Sequence, residues 1–201
     1  MKLYFSKGAC SRSVRIILHE LNIPAEFEAV DFKTKKTASG KDYLSINPKG
    51  AVPALQLNDG SVLTENVAIH QYLADTHGAH HLLPELGNFQ RYRTLEWFSY
   101  ISSDLHKSCG PLFNSAVPDE LKETIFKPAL LNKFKIVEQQ LQKNEYLMGK
   151  EFTLPDAYLF VVISWLKHFN IDLQTALPNV SRYYNALKER KSIRQALEEE
   201  A

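Results

Sequence analysis

Residues 51–73 have the sequence AVPALQLNDGSVLTENVAIHQYL and decide the fold of the first part of the chain. A residue that precedes a proline is pushed into extended geometry, so Val52 presents its N–H and C=O groups to a neighbouring chain. Pro53 has no backbone donor and begins a strand. The turn sequence Asn-Asp-Gly-Ser at 58–61 separates two short apolar runs, 54–57 and 62–64. This stretch therefore predicts a hairpin beside a backbone site for an extended ligand.

Glu65 and Asn66 follow this hairpin and stand at the predicted start of a helix. A helix start has unpaired N–H groups and the positive end of the dipole, so it attracts a carboxylate. The carboxylate of Glu65 accepts an ammonium group. These two residues therefore serve both ends of an amino acid, although an ordinary helix cap in an α/β protein explains the same pattern.

Cys10 lies between a predicted strand at 2–5 and a predicted helix at 11–22, after the break at Gly8-Ala9. The helix is indicated by apolar residues at helical spacing, namely Val14, Ile17, Leu18 and Leu21. A thiol at a helix N-terminus, with basic residues nearby, is expected to lose its proton more easily. The alternative is that Cys10 is a small buried hydrophobic residue.

The composition excludes several classes of partner. The 201 residues are 44% hydrophobic, and 24 basic against 23 acidic residues leave a formal charge of +1. This balance gives no electrostatic footprint for nucleic acid or an anionic membrane. The longest apolar run, 157–166, is too short to span a bilayer and predicts a buried core helix. Two cysteines make no disulfide framework, and the N-terminus lacks a signal-peptide pattern, so we expect a reducing cytoplasm.

The chain changes character near residue 80. Residues 1–79 alternate strands and helices in the order βαβ-ββα, which predicts an α/β domain with a mixed four-stranded sheet. Residues 80–88 predict a linker, whose paired histidines indicate solvated loop rather than a metal site. Residues 89–201 predict an all-α domain. Two long helices are expected, over 88–113 and 118–143. A third should begin with a capping box of Thr153 and Asp156, and two final short helices should begin at Pro178 and Ser192.

Several of these motifs together resemble the cytosolic glutathione transferases, most closely the bacterial beta class. The resemblance covers the whole chain and is carried by residues 8–11 (GACS), 47–55 (NPKGAVPAL), 63–69 (LTENVAI), 105–107 (LHK) and 152–159 (FTLPDAYL). It implies a thioredoxin-like first domain, a helical second domain that holds an electrophile pocket, and a homodimer. It also implies an enzyme that conjugates the thiol of glutathione, its co-substrate, to small hydrophobic electrophiles without a metal.

The resemblance also implies roles for individual residues. Those expected in catalysis are Cys10, Ser11 and His106. Those expected to contact glutathione are Ala9, Cys10, Lys35, Val52, Pro53, Glu65, Asn66, Ser103, His106 and Lys107, with a cis peptide bond before Pro53. Tyr4 is a lesser candidate for activating the thiol. Ser99 departs from the asparagine that is common in the class, and Cys109 has no assigned role.

Three functions stay open at the level of sequence. The first is a conjugating transferase. The second is a glutathione-dependent thiol–disulfide reductase that acts through a mixed disulfide on Cys10. Ser13 stands where a second cysteine would be needed, which argues against dithiol chemistry but permits a route with one thiol. The third is a protein that binds glutathione or hydrophobic ligands without turnover.

Overall fold

The computed structural model describes residues 1–201, which form two compact units. One unit comprises Met1–Leu83 with Arg190–Ala201, and the other comprises Pro84–Glu189. The sequence predicted a boundary linker at 80–88 and assigned all of 89–201 to the helical domain. Residues 190–201 join the first unit instead, because the apolar side of their helix, with Ile193 and Ala196, is buried there. No local pattern identifies such a long-range pairing.

The first unit contains a five-stranded sheet. Its elements before residue 84 are β1 (Lys2–Phe5), α1 (Arg12–Glu20), β2 (Glu26–Asp31), β3 (Lys36–Thr37), a 3₁₀ turn (Tyr43–Ser45), β4 (Ala54–Gln56), β5 (Val62–Thr64) and α2 (Asn66–Thr76). The strands lie in the order β3-β2-β1-β4-β5, with β1 and β2 parallel and the other neighbours antiparallel.

The predicted fold class is confirmed, but the predicted count of four strands is wrong. The additional strand, β3, has only two residues, which pair Thr37 with Val30 and Lys36 with Asp31. Two residues are too few to show the alternation that identifies a strand. The other predicted elements of this unit, including the hairpin of β4 and β5, are present.

A small apolar cluster fixes the end of the sheet where Cys10 and Val52 lie. Its buried side chains come from several elements and are those of Tyr4, Val30, Tyr43, Val52 and Ala54. Ala9 and Ile46, which are partly buried, pack against them. The carbonyl of Ala51 accepts hydrogen bonds from the Tyr43 hydroxyl at 2.8 Å and from the Asn47 amide at 2.7 Å. These bonds hold the segment that leads into the Val52–Pro53 peptide bond, which is cis as expected from the resemblance.

The second unit is helical. Its elements are α3 (Phe89–Tyr100), a π-helical segment (Ile101–His106), α4 (Lys107–Phe113), α5 (Asp119–Leu121), a second π-helical segment (Lys122–Phe126), α6 (Lys127–Lys143), α7 (Leu154–Trp165), a 3₁₀ turn (Leu166–Phe169), α8 (Leu173–Ala176) and α9 (Pro178–Lys188). The helix of residues 191–198 in the first unit is α10. The two long predicted helices are present, and each contains one π-helical segment. The spacing of apolar residues does not distinguish such a segment from α-helix.

Helix α7 forms the core of the second unit, as the apolar run predicted. All twelve of its residues are buried, and its capping box joins Thr153 to Asp156. Neither α7 nor any other helix combines the length and the apolarity needed to cross a bilayer.

Candidate active site

Cys10 lies in the loop between β1 and α1, which begins at Ser6. Its thiol donates a hydrogen bond to the carbonyl of Val52, at an Sγ–O distance of 3.2 Å. The N–H of Val52 has no acceptor within the protein. The residue before Pro53 therefore offers one unused backbone donor beside a cysteine, which agrees with the predicted pairing site for an extended chain.

The environment of Cys10 raises the pKa of its thiol to about 11, because burial penalises the thiolate. The Asn66 side chain and the backbone N–H groups of Cys10 and Ser11 lower the pKa, but by less than burial raises it. The expectation that this thiol loses its proton easily is therefore wrong. The helix start does supply donors to the sulfur, but desolvation outweighs them, and sequence does not reveal burial.

The hydroxyl of Ser11 is turned into the protein. It accepts a hydrogen bond from the N–H of Ser6 at 3.2 Å and lies 3.4 Å from the Ser6 carbonyl, and the side chain is fully buried. The backbone N–H of Ser11, rather than its hydroxyl, lowers the pKa of the Cys10 thiol. Ser11 therefore shapes the loop with its side chain.

Asn66 begins α2 with its side chain in a buried network. The Ser13 hydroxyl donates to Asn66 Oδ1 at 2.9 Å and lies 2.8 Å from the Cys10 carbonyl. Because Oδ1 accepts from Ser13, the amide nitrogen is the group of Asn66 left for the sulfur of Cys10. Asn66 thus links the start of α2 to the start of α1, a connection that the sequence did not indicate.

The charged residues predicted for the two ends of a peptide ligand lie on this unit with partners of their own. Glu65, at a backbone φ of +75°, accepts a bond from Lys49 Nζ at 2.6 Å. Lys35 donates to the carbonyl of Gly50 at 2.9 Å. Sequence reasoning did not select Lys49, although it lies in the same Asn-Pro-Lys-Gly stretch that carries the resemblance.

Tyr4 does not have the environment of a thiol activator. Its hydroxyl donates to Gln56 Oε1 at 3.2 Å, and burial raises the pKa of the phenol. Phe5 points to the other face of the sheet, where its ring packs against Phe27. This alternation confirms that consecutive strand residues face opposite sides.

In the second unit, His106 is the last residue of the first π-helical segment. Its Nδ1 lies 2.5 Å from the hydroxyl of Tyr158 on α7. Burial, assisted by the charge of Lys107, lowers the pKa of His106 to about 4, so the ring is neutral at pH 7. When the hydroxyl of Tyr158 donates to Nδ1, the single ring proton is on Nε2 and that atom is a donor. Sequence reasoning missed Tyr158 because it lies within an apolar run.

Two aromatic rings of the same unit, those of Tyr158 and Trp165, pack against His106. The Trp165 ring packs edge to face on it with ring centroids 4.8 Å apart, and the Phe113 ring packs on Trp165 at 5.8 Å. Phe113 is half exposed, although it also contacts Phe169 at 4.7 Å. Trp165 and Phe169 are buried, so this group is mainly packed interior that leaves the ring of Phe113 exposed.

The remaining predicted residues of this unit are more peripheral. Ser103 is exposed and donates to the carbonyl of Ser99 at 2.9 Å, and its Oγ lies 2.8 Å from Asp104. Lys107 is exposed. Cys109 is buried, and burial raises the pKa of its thiol to about 12, so it is unreactive. The described residues contain no group of three or more metal-ligating side chains placed to bind an ion.

Comparisons with known proteins agree with this geometry. Residues 8–76 match the family described as glutathione S-transferase, N-terminal domain, and residues 99–191 match its C-terminal domain. The chain is 39% identical over 200 residues to glutathione S-transferase GstA of Escherichia coli O157:H7, covering 100% of this chain and 98% of that relative.

Solved structures give the same result. A beta-class glutathione S-transferase of Sphingomonas chungbukensis is 38% identical, with a TM-score of 0.94, over 100% of this chain and 99% of that one. A sphingomonad glutathione S-transferase complexed with glutathione is 37% identical, with a TM-score of 0.94, over 100% of this chain and 98% of that one.

Proposed function

Because the chain belongs to the glutathione S-transferase family, we propose that its Cys10 loop binds reduced glutathione and that the enzyme conjugates the glutathione thiol to small hydrophobic electrophiles. The chain is a glutathione transferase with glutathione as its co-substrate, as the sequence motifs predicted. Its likeness to beta-class structures confirms the predicted class.

One observation carries the assignment of the site: the N–H of Val52 is unused while its carbonyl accepts from the Cys10 thiol at 3.2 Å. A peptide laid in extended form along residue 52 accepts a bond from this N–H, as a neighbouring strand does. Its sulfur then lies beside the N–H groups of Cys10 and Ser11. Glutathione is a short peptide with a central cysteine, so it fits this arrangement.

The charged groups on the same unit support the placement of the two ends of glutathione. We place the γ-glutamyl group at Glu65 and the N–H groups that begin α2, since the glutamate accepts an ammonium and the helix start attracts a carboxylate. We place the glycyl carboxylate at Lys35. Binding then replaces the Lys49–Glu65 contact and the Lys35–Gly50 contact with contacts to the ligand.

The proposed chemistry uses the sulfur of glutathione as the nucleophile. An ordinary thiol has a pKa of about 8.5, so the site must stabilise the thiolate at neutral pH. Backbone N–H groups at the start of α1 stabilise it, and the protonated thiol of Cys10 does so when its single proton turns from the Val52 carbonyl to the bound sulfur. The thiolate attacks the electrophilic carbon, a carbon–sulfur bond forms, and the leaving group departs with its electron pair.

We propose that Cys10 is a donor in this reaction. Its raised pKa keeps it protonated at pH 7, and a protonated thiol is a poor nucleophile. This disfavours the alternative reductase, which needs a thiolate at Cys10. We also propose that neutral His106 contributes a hydrogen bond to conjugation, whereas contacts of Ser103 and Lys107 with glutathione remain predictions from the resemblance.

The experiment compares conjugation of glutathione to an aryl chloride by the parent protein, Cys10→Ser and Cys10→Ala, with disulfide reduction as the second readout. Cys10→Ser retains a donor and should keep most of the activity, whereas Cys10→Ala should lose about tenfold in kcat/KM, as for the loss of one hydrogen bond. Complete loss of conjugation by Cys10→Ala, with glutathione still bound, would contradict this role. Disulfide reduction without conjugation in the parent would favour the reductase.

We further propose that the protein is a homodimer in a reducing cytoplasm. Three large apolar side chains are exposed, those of Leu86 by 82%, Phe89 by 68% and Tyr92 by 53%. Phe89 and Tyr92 share a face of α3 because they are three residues apart. A surface of this kind is typical of a protein interface. The two free cysteines suit a reducing compartment.

A further inference from the structure

The loop that carries Cys10 is bound by the carboxylate of Glu200, a residue that lies just after α10. Its Oε2 accepts a hydrogen bond from the N–H of Gly8 at 2.9 Å. The same oxygen lies 2.9 Å from both Nε and one terminal nitrogen of Arg12, and the side chain of Glu200 is fully buried. Gly8 has a backbone φ of +72°, a conformation that other residues rarely adopt, so this turn depends on glycine.

The other oxygen of the carboxylate forms an ion pair with a second arginine, without a hydrogen bond between them. Arg15 Nε lies 3.3 Å from Oε1 of Glu200, and the Arg15 guanidinium stacks between the rings of Phe5 and Phe27, at 4.2 and 3.9 Å from their centroids. A buried carboxylate between two guanidinium groups has little freedom to move. Glu200 is therefore a rigid point of attachment for the loop.

The position of Gly8 determines the direction of the next donors along the loop. The N–H of Ala9 donates to the carbonyl of Ser6 at 3.0 Å, and the N–H groups of Cys10 and Ser11 lower the pKa of the Cys10 thiol. We infer that Glu200 is a positioning residue: by holding the Gly8 N–H and Arg12 together, it fixes the loop that places the half-buried Cys10 thiol and the backbone N–H groups of Cys10 and Ser11. For glutathione, this inference rests on the proposed function, since the same N–H groups receive its thiolate.

Alkylation of Cys10 by iodoacetamide, measured as a function of pH, tests the inference without any conjugation. Release of the loop opens the half-buried Cys10 further to solvent, so the pKa of its thiol moves from about 11 towards the ordinary value. We expect Glu200→Ala to alkylate at least about tenfold faster than the parent at pH 8, since each unit of pKa changes the thiolate fraction tenfold. Glutathione affinity should fall at the same time. Cys10→Ala provides the blank, since Cys109 is buried.

Glu199→Gln is the matched control, because Glu199 pairs with Arg15 and His19 but not with the loop. It should keep the parent's alkylation profile. Glu200→Gln keeps an oxygen that accepts from Gly8 and should restore most of the protection. If Glu200→Ala fails to fold, Arg12→Met, which removes the other contact of the carboxylate with the start of α1, carries the same expectation.

The inference is overturned if folded Glu200→Ala, or Arg12→Met in its place, has the parent's alkylation profile. It is also overturned if Glu199→Gln changes the profile equally. Failure of the proposed function is distinguishable, because a parent that does not conjugate glutathione would leave the alkylation contrast intact.

Discussion

Replacement of Asp156 by alanine should destabilise the second unit strongly. The buried carboxylate accepts bonds from the Leu147 N–H at 3.0 Å, the Thr153 N–H at 2.8 Å, the Thr153 hydroxyl at 2.7 Å and the Tyr183 hydroxyl at 2.7 Å. These bonds join the start of α7 to the preceding loop and to α9. One side chain therefore ties three segments together.

The size of the effect follows from the donors that alanine leaves without an acceptor. A buried donor without a partner costs about 1–3 kcal/mol, and the groups of Leu147 and Tyr183 are both of this kind, while loss of the helix cap costs about 1 kcal/mol more. Burial raises the pKa of Asp156, so the hydrogen bonds do not fully offset the cost of burying its charge. Removal of the carboxylate recovers part of that cost and reduces the net destabilisation. We expect a net loss of about 4 kcal/mol.

Thermal unfolding by circular dichroism at a fixed protein concentration measures this loss. At roughly 3 °C per kcal/mol for a chain of this size, Tm should fall by about 12 °C. Asp172→Ala is the matched control, since Asp172 caps α8 in solvent by accepting from the Gln174 N–H, and its Tm should fall by only about 3 °C, as for the loss of a cap alone. An Asp156→Ala variant that melts within about 2 °C of the parent would refute the reasoning.

Three further predictions concern protonation, tautomer and assembly. Burial lowers the pKa of His70 to about 4, so between about pH 6.5 and pH 4 the unfolded chain binds a proton that the folded protein does not, and the free energy of unfolding falls by about 3 kcal/mol. In urea titrations at several pH values, His70→Gln should therefore show a free energy of unfolding that depends less on pH than that of the parent. An equal pH dependence in the two proteins would contradict this. Tyr158→Phe removes the bond to His106 and should lower kcat/KM for conjugation about fivefold, whereas an unchanged rate would remove the tautomer argument. Light scattering should show that Tyr92→Glu is a monomer, whereas the control Ile136→Glu, at an exposed residue elsewhere, stays a dimer. A dimeric Tyr92→Glu variant would exclude the face of α3 with Phe89 and Tyr92 as the interface.

Local sequence signals predicted most of the fold. The Val-Pro step, the Asn-Asp-Gly-Ser turn and the box of Thr153 with Asp156 each depend on backbone chemistry within a few residues, and the structure has all three features. By contrast, β3 has two residues, and α10 joins the first unit through contacts far apart in sequence. Pattern reasoning fails there because neither feature has a local signature.

The candidate site divides in the same way. Sequence placed Cys10 at a helix start, and the donors expected there are present, but only the structure shows that burial raises the pKa of the thiol to about 11. The inward hydroxyl of Ser11 and the Tyr158 partner of His106 likewise depend on side-chain packing. Glu200 lies about 190 residues along the chain from the loop that it holds, so no motif connects the two.

The ultraviolet thiolate absorbance of enzyme-bound glutathione, titrated against pH, tests the central claim most directly. If the N–H groups and the protonated Cys10 stabilise the bound anion, its pKa should lie at least about one unit below the ordinary thiol value of about 8.5 and should rise towards it in Cys10→Ala. Bound glutathione that titrates at its free value in the parent, together with active conjugation, would contradict the claim that this loop activates the thiol.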